Sequence, residues 1–322
     1  MSPRANERGA IDDVADDVAA APARPVHVVV VAYGDPGALA TCLEALAGAY
    51  PVVVVDNSST PATREVAARA GATYLDPGEN LGFSRAVNLG LRLLPLSGVD
   101  VLLLNPDAVI GLDGIEALRG ALHGAPQVAC VAPAQHRPGS ENPAPVCWPF
   151  PTPLGAWTEA VGLGRFSRGW GYVIASVLLV RGSALVDVGG LDEGFFLYAE
   201  EADWERRATR RGWTAAYRPE ISALHVGAAT DSDAARREIR FHAGVETYVR
   251  KWHGTAGWHS YQAATVLTAL RRAVVFTGAR RRASLRLARL YLGGPARTAR
   301  QRAMIPERSH HVPDLGPGGD AP

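Results

Sequence analysis

Six carboxylates stand within fourteen positions of the stretch GGLDEGFFLYAEEADWERR (189–207). Glu200, Glu201 and Asp203 come shortly after the apolar run FFLY (195–198). Carboxylates next to a buried aromatic segment tend to have raised pKa values, which suit a group that takes up a proton near neutral pH. The pattern therefore indicates a general base in this cluster. The alternative is a solvated acidic face of a helix.

Asp107 is a second candidate, because it follows an apolar strand in the stretch LLLNPDAVI (102–110). A carboxylate in such a position is costly unless it is paired or binds a metal. Mg²⁺ and Mn²⁺ prefer oxygen ligands, and Mg²⁺ is commonly held by few carboxylates together with substrate phosphates. Two interpretations stay open, a cap of the following turn and a ligand of a divalent cation. His225, in SALHVGAAT, is a third candidate site residue. A lone histidine is more often a packing residue, so the case for His225 depends on the other two motifs.

Four apolar runs must position these side chains, and they alternate with helical patterns. Each run is short and continuous, as in strands that are buried on both faces of a parallel sheet. The predicted fold class is therefore α/β, a Rossmann-like, mainly parallel sheet flanked by helices, with a helical C-terminal extension. The four runs are 27–33, 51–56, 72–75 and 99–105.

Polar side chains stand at the carboxyl ends of all four predicted strands, where ligands bind in open α/β sheets. A simple helix cap would explain Asp56 or Ser58. Four polar strand ends at one edge of a sheet indicate a binding site instead. In chain order they are Tyr33; Asp56, Asn57 and Ser58; Asn80; and Asn105 with Asp107.

The rest of the chain divides by composition. Residues 1–24 are rich in Ala, Pro, Asp and Arg and predict a disordered leader. A single catalytic domain is expected over 25–230, in two halves, 25–133 and 134–230. Within it, prolines predict a long loop over 134–170, followed by strands at 170–180 and 221–226 and a helix at 183–188. Residues 231–305 should be mainly helical, and 306–322 are expected to form a disordered tail.

The bulk composition is that of an ordinary soluble protein, with 47% hydrophobic and 20% charged residues. A net charge of +1 gives no overall field that would favour nucleic acid as a partner. The acidic N-terminal residues lack the apolar segment of a secretory signal. No apolar run approaches the roughly 20 residues that span a bilayer. We therefore expect a cytoplasmic protein, with possible contact at the inner face of the cell membrane.

Taken in order, these motifs resemble the family 2 glycosyltransferases of the GT-A fold, most closely the rhamnosyltransferase-like branch that builds bacterial cell-surface glycans. The resemblance covers about residues 26–255 and rests on the order and spacing of the motifs. Two departures are Gly34, where the family usually has Asn, and Glu201, where it usually has Asp as the base. The motifs that carry it are VVVVDNSS, NLGFSRAVNLG, LLNPD and GGLDEGFFLYAEEADWERR.

The resemblance implies a role for each candidate residue. Asp56 would contact the nucleotide base, and Asp107 with His225 would hold Mg²⁺ or Mn²⁺ against the diphosphate. Glu201 would be the base, with Glu200 and Asp203 in reserve because the longer Glu side chain moves the carboxylate outward. Trp170 would stack on a sugar ring. The other expected substrate contacts are Tyr33, Asn57, Ser58, Asn80, Gly82, Arg85, Asn88 and Asn105.

The implied reaction is an inverting displacement that moves a sugar, rhamnose by branch resemblance, from a dTDP-, UDP- or GDP-sugar. The acceptor would be a hydroxyl of a glycan or of a lipid-linked molecule. The arginine-rich helices near the C-terminus suit either a membrane surface or simple packing on the catalytic domain. Two other functions compete. One is a non-catalytic sugar-nucleotide or glycan-binding homologue; the other is a nucleotidyltransferase, which would need a basic phosphate loop that AYGDPGALA (32–40) lacks.

Overall fold

The computed structural model describes residues 25–164, 171–227, 233–306 and 308–316. Its first half follows the predicted alternation of strands and helices closely. The strands are β1 (Val26–Ala32), β2 (Val52–Asp56), β3 (Thr73–Leu75) and β4 (Asp100–Leu104), and the helices between them are α1 (Pro36–Ala45), α2 (Pro61–Arg69) and α3 (Gly82–Leu91). Asp35 and Thr60 cap the first two helices, each with a proline at the next position.

β1, β2, β3 and β4 pair in parallel, in the order β3-β2-β1-β4. The register aligns their carboxyl ends, with Ala32 opposite Asp56 and Val30 opposite Leu104. Apolar side chains cover both faces of these strands, as in other parallel sheets. The polar residues that follow the strands are therefore brought to one edge of the sheet.

The second half of the chain makes the sheet mixed. Its elements are β5 (Ala108–Val109), α4 (Leu112–His123), β6 (Val128–His136), β7 (Pro143–Ala144), β10 (Val177–Val180), α6 (Gly182–Val188), α7 (Glu200–Arg210) and β11 (Thr214–His225). β10 runs antiparallel between β4 and β6, and β11 pairs with β6 in parallel and with β5 in antiparallel. The predicted α/β fold with a helical C-terminal extension is confirmed. The apolar pattern of the sequence did not predict the antiparallel strands of the sheet.

The proline-rich stretch 134–164 has more regular structure than the predicted loop. β6 extends to His136, and β7, β8 (Cys147–Trp148) and α5 (Pro153–Ala160) follow. The expected strand at 170–180 is divided into β9 (Tyr172–Val173), which pairs with β8, and β10 in the main sheet. Trp170, with the rest of 165–170, lies outside the described residues.

The C-terminal region is helical as predicted and packs on the second half of the sheet domain. α8 (Ala234–Val275) is interrupted at Gly254, whose φ of +67° is non-helical, and it contacts α5 and α9. An aromatic cluster around Phe195, Tyr248 and Trp258 joins the two regions. In the described ranges, no helix has the length and apolar character needed to cross a membrane. The two remaining helices are α9 (Gly278–Gly293) and α10 (Pro295–Gln301).

Part of the predicted disordered tail, residues 308–316, makes defined contacts with the rest of the protein. Residues 308–316 lie along the loop 189–194, where the N–H of Gly190 donates to the carbonyl of Pro313 (3.0 Å) and the N–H of Glu193 to that of His311 (2.7 Å). A Cβ on Gly194 would lie 2.5 Å from the His310 ring, so the missing side chain permits this approach. These contacts order a polar segment that has no internal periodicity.

Candidate active site

The acid cluster begins at a strained turn. Tyr198 and Ala199 both have positive φ, 73° and 71°, and α7 starts immediately afterwards at Glu200. Non-glycine residues rarely adopt this conformation, and such strain is typically found where a site requires a particular backbone. The turn directs the first residues of α7, Glu200 and Glu201, into the protein.

Glu200 and Glu201 each have one carboxylate oxygen, Oε2, that is buried and makes no hydrogen bond within the described residues. Burial raises the pKa of Glu201 to about 7. Burial, with the nearby charge of Glu201, raises the pKa of Glu200 well above its ordinary value. Glu201 is the less buried of the two residues. It is therefore the carboxyl group that can exchange a proton near neutral pH.

Asp203, the second reserve candidate, is unsuited to be the base. The residue is fully buried. Its Oδ1 lies 2.6 Å from the Lys251 ammonium and accepts a hydrogen bond from Trp252 Nε1 (2.8 Å), and its Oδ2 accepts one from Arg207 Nε (2.9 Å). Because both oxygens are engaged by cations or donors, Asp203 anchors α7 to α8 and does not offer a lone pair to a substrate.

Lys251 joins this anchor to the loop that precedes α7. Its ammonium also lies 2.6 Å from Oδ2 of Asp192, and that oxygen is 2.7 Å from Nδ1 of His310. Burial opposes ionisation of Asp192, but the hydrogen bonds from His310 and Lys251 outweigh it and lower the pKa of the carboxyl. The carboxylate thus ties α8 and the C-terminal segment to the acid cluster.

Asp107, Asn105 and His225 form a separate polar cluster at the end of β4. β5 pairs with β11 so that Ala108 lies opposite His225, and the N–H of Val226 donates to the Asp107 carbonyl (3.1 Å). His225 Nε2 is 3.4 Å from Asp107 Oδ1 and 3.4 Å from Asn105 Nδ2. The antiparallel pairing of β5 and β11 thus brings together residues that are 118 positions apart.

The donor set of this cluster fits a divalent cation. Two ligands at about 2.1 Å on adjacent octahedral positions lie roughly 3 Å apart, close to the separation of Asp107 Oδ1 and His225 Nε2. Across the described ranges, no three or more His, Cys, Asp or Glu side chains converge on one position. The protein would therefore provide two ligands and leave the others to substrate phosphates and water.

Asp56, Asn57 and Ser58 serve the local fold in this structure. Asp56 is fully buried, and its oxygens accept hydrogen bonds from Ser58, Thr60 and Tyr74. The Asn57 amide donates to the Gly82 carbonyl (3.2 Å) and accepts from the Leu81 N–H (3.2 Å). This arrangement does not support the expected contact of Asp56 with a nucleotide base, because its oxygens are enclosed in the β2–α2 turn.

Gly82 and Asn88 also contact the protein itself. A Cβ on Gly82 would lie 2.4 Å from the Phe196 carbonyl, so the glycine admits the acid-cluster loop, whereas the sequence suggested a ligand. Asn88 is fully buried and both donates to and accepts from the Leu191 backbone (2.8 and 2.9 Å). The prediction that Asn88 lines the donor pocket is wrong, because its amide is enclosed in this contact.

A cavity of about 980 Å³ opens beside these motifs. It brings together three of the predicted substrate contacts, Tyr33, Asn80 and Arg85, at the ends of β1 and β3 and in the first turn of α3. Arg85 is half exposed and its Nε donates to Glu193 (3.1 Å). Glu201, Asp107 and His225 are not part of its lining.

Several residues that shape the site were not identified from the sequence. Arg236, Arg240 and Arg308 also line the cavity, although they lie in α8 and in the C-terminal segment. Glu205 is buried on α7, where the Val173 N–H donates to both of its oxygens (3.1 and 3.2 Å) and burial raises its pKa. Glu205 belongs to the acid cluster already noted in the sequence, whereas Arg236, Arg240 and Arg308 stand among other charged residues that gave no signal of their own.

The chain is similar in sequence to known glycosyltransferases. The model of the Glycosyl transferase family 2 matches residues 27–152. The N-acetylglucosaminyl-diphospho-decaprenol L-rhamnosyltransferase of Mycobacterium tuberculosis is 31% identical over 236 residues, which cover 64% of this chain and 76% of that protein. The low-salt glycan biosynthesis hexosyltransferase Agl10 of Haloferax volcanii is 27% identical over 206 residues, covering 62% and 66%.

Among solved structures, the mannosyltransferase PcManGT from Pyrobaculum calidifontis superimposes with a TM-score of 0.53 at 17% identity, covering 87% of this chain and 84% of that one. At this identity the likeness establishes the fold alone, which is that of the GT-A glycosyltransferases. The predicted resemblance is confirmed, and the alternative of a nucleotidyltransferase is set aside. The chain belongs to glycosyltransferase family 2 and is an enzyme of the glycosyltransferase type.

Proposed function

We propose that this enzyme transfers a sugar, with inversion, from a nucleotide diphosphate-sugar to a hydroxyl group of a glycan or lipid-linked acceptor. The observation that carries the proposal is the Glu201 carboxyl group. It lies at the start of α7 with an unpaired buried oxygen and a pKa raised to about 7. A binding module that had lost its activity would have no use for such a group, which is costly to keep unpaired.

Glu201 accepts the proton of the acceptor hydroxyl as that oxygen attacks the anomeric carbon. The new glycosidic C–O bond forms on the face opposite the leaving group. The bond from the anomeric carbon to the phosphate oxygen breaks, and the nucleoside diphosphate leaves with the electron pair. One proton moves from the hydroxyl to Glu201, and the configuration at the anomeric carbon is inverted.

The apolar surroundings of Glu201 suit this step. Val87, Leu178 and Trp204 lie around it in a small apolar cavity. Burial holds the carboxyl group partly protonated at neutral pH, and it makes the ionised form a stronger base than an exposed glutamate. The arrangement also limits the access of water that would compete with the acceptor.

Asp107 Oδ1 and His225 Nε2 would hold Mg²⁺ or Mn²⁺, and Asn105 lies beside them, with its Nδ2 3.4 Å from the same imidazole nitrogen. A cation there would offset the negative charge that develops on the diphosphate leaving group. PcManGT, which shares the fold, was solved with GDP-Man and Mn²⁺. The short separation of Asp107 and His225 supports a cation between these two side chains.

The donor sugar proposed is rhamnose, carried by dTDP, with UDP- and GDP-sugars as the next candidates. The support is the 31% identity to a protein that is named an L-rhamnosyltransferase acting on a diphospho-decaprenol acceptor. The same relative supports a lipid-linked acceptor. A lipid-linked acceptor would require the enzyme to work at a membrane surface, and we propose the cytoplasmic face.

The surface of the C-terminal helices is consistent with that location. Val274 and Val275, at the end of α8, are 87% and 71% exposed, and Leu292 on α9 is 70% exposed. Exposed apolar residues interspersed with arginines are typical of helices that lie at a lipid interface. The arginines of α9 are Arg280, Arg281, Arg282, Arg286 and Arg289.

A direct test is to incubate the enzyme with Mn²⁺, a panel of nucleotide-sugars and an isoprenyl-diphosphate-linked acceptor. Release of the nucleoside diphosphate should depend on both the acceptor and Glu201. NMR of the product should show that the anomeric configuration is opposite to that of the donor. Retention of configuration would contradict the proposed mechanism.

A further inference from the structure

The C-terminal segment forms one wall of the 980 Å³ cavity. Residues 303–306 and 308–311 line it on one side, opposite Asn80 and Arg85 near the start of α3. The segment is held against the loop 189–194, where the His311 N–H donates to Asp192 Oδ1 (3.0 Å) and His310 lies against Gly194. The wall is therefore anchored to the same loop that leads into the acid cluster.

The lining of this cavity is positively charged. Among the described residues of the lining, four arginines, Arg85, Arg236, Arg240 and Arg308, outnumber two glutamates, Glu79 and Glu193. Glu193 is turned toward α3, where Arg85 Nε and the Asn88 amide donate to its two oxygens (3.1 and 3.2 Å).

One guanidinium nitrogen of Arg308 lacks a hydrogen-bond acceptor among the described residues. This nitrogen, Nη1, is buried. The Arg308 guanidinium lies 5.1 Å from the centre of the Phe196 ring, and the guanidinium of Arg240 lies 5.7 Å from the same ring. Burial and the positive charge of Arg85 lower the pKa of Arg308. A buried guanidinium N–H without an acceptor is destabilising, and an anion in the cavity would remove that cost.

We propose that Arg308, together with Arg85, binds the diphosphate group of a substrate, so that the C-terminal segment is part of the substrate site. Each phosphate of a sugar-linked or lipid-linked diphosphate carries one negative charge, which the arginines of the described lining would attract. The guanidinium fork suits two phosphate oxygens at once. This inference rests on the proposed function.

The donor is the favoured source of the diphosphate, which would then have to extend from the arginines of the cavity to Asp107 and His225 outside its lining. The cavity also contains Tyr33 and Asn80, which follow β1 and β3 at the edge of the sheet where nucleotides bind in such folds. The diphosphate of a lipid-linked acceptor has the same chemistry, so the test must separate the two sources.

The test is calorimetric titration of the full chain, in saturating Mg²⁺, with dTDP, UDP and GDP in one arm and farnesyl diphosphate in detergent in the other. We expect one nucleoside diphosphate to bind the wild type, Arg308→Ala to weaken its Kd at least about 10-fold, and Arg308→Lys to recover part of the loss. Arg302→Ala, an exposed arginine outside the cavity, should bind like the wild type. Arg308→Ala removes a buried Nη1 that has no acceptor among the described residues, and it also removes the contact with the Phe196 ring, so its melting temperature should stay close to that of the wild type.

The outcomes separate the inference from the proposed function. Unchanged nucleoside diphosphate and farnesyl diphosphate binding in Arg308→Ala would overturn the inference and leave the proposed function standing. Loss of farnesyl diphosphate binding alone would support the diphosphate site and assign it to the acceptor. A wild-type enzyme that binds no nucleoside diphosphate would contradict the proposed function itself. A lower melting temperature with unchanged binding would make Arg308 a structural residue and overturn the inference.

Discussion

Gly82 and Phe196 are in backbone contact although they are 114 positions apart in the chain. A Cβ placed on Gly82 would lie 2.4 Å from the Phe196 carbonyl oxygen, and the same carbonyl accepts a hydrogen bond from the N–H of Phe83 (2.7 Å). The contact joins the start of α3, beside the cavity, to the loop that leads into the acid cluster. The start of α3 and the loop before Glu200 are thus held in fixed positions relative to each other.

Gly82→Ala should therefore destabilise the enzyme strongly. Gly82 has φ of +72°, so alanine would be strained there, and its Cβ would also clash with backbone. Gly78 is the matched control, because it has φ of +75° and nothing within 4 Å of an added Cβ. Backbone strain alone costs about 1–2 kcal/mol, which is the loss expected for Gly78→Ala in urea unfolding. Gly82→Ala should lose clearly more, and equal losses would mean that the Phe196 contact is not tight.

Glu201→Gln should remove catalysis, because the amide cannot accept the acceptor proton. We expect kcat to fall about 10²- to 10⁴-fold with little change in donor binding. Glu220→Gln, an exposed acid on β11, is the control and should keep wild-type turnover. If Glu200→Gln, and not Glu201→Gln, produced the loss, the base would be the neighbouring residue.

The rate should depend on pH through the same group. A base must be ionised to act, and the pKa of Glu201 is about 7. Turnover of the wild type should thus rise about tenfold per pH unit below 7 and level off above it. In Glu201→Asp the pH at half-maximal rate is expected to move, since the shorter side chain changes the burial of the carboxyl. A flat profile between pH 5.5 and 8 would contradict the assignment.

Stability should show the opposite pH dependence. The folded-state pKa of Glu201, about 7, lies above the ordinary value of 4.5. Between these values the unfolded chain has released the proton that the folded protein still holds, so stability falls as pH rises from about 4.5 to 7. Glu201→Gln should remove this loss, with an upper bound of about 3 kcal/mol above pH 7. Thermal melting at pH 5 and pH 8 measures it: the variant should gain stability relative to wild type only at pH 8.

Asp107→Asn should abolish the response to divalent cations. Replacing the carboxylate leaves His225 as the single strong ligand of the proposed pair, whereas Mg²⁺ in such sites is usually held by at least one carboxylate together with substrate phosphates. The measurement is turnover as a function of Mn²⁺ concentration after treatment with a chelator. Asp113→Asn, an exposed acid in the first turn of α4, is the control. Wild-type Mn²⁺ dependence in Asp107→Asn would rule out this position as the cation site.

Membrane attachment should depend on the end of α8. The double substitution Val274→Glu and Val275→Glu places charge on the most exposed apolar positions of that helix. Sedimentation with vesicles containing anionic lipid should show a loss of binding at least about 10-fold, because both apolar insertion and charge attraction are weakened. Leu93→Glu, on an exposed turn after α3, should bind as the wild type does. If the double variant sedimented with the vesicles as the wild type does, the end of α8 would not be the surface that binds the membrane.

The sequence alone was sufficient for the family and for the first half of the fold. The valine-rich strands β1 and β2 and the leucine-rich β4 are buried on both faces, and local apolar pattern is enough to identify such elements. The order of the four motifs along the chain then specified the enzyme class. The raised pKa of an acid after the aromatic run was also predicted, since a neighbouring apolar segment is a local property.

The roles of individual side chains were decided by contacts that the residue types alone do not reveal, many of them between distant parts of the chain. Asp56 and Asn88 have residue types that suit a substrate, yet the folded protein uses both internally. Asp203 differs from Glu201 because Arg207, four residues later on the same helix, and Lys251, 48 positions away, both reach it, and only the first of these pairs can be read from the local sequence. Arg308 enters the site through a segment without periodicity, ordered by hydrogen bonds to the loop 189–194. Local pattern determines which face of an element is buried, whereas the partners of a polar group depend on the tertiary structure.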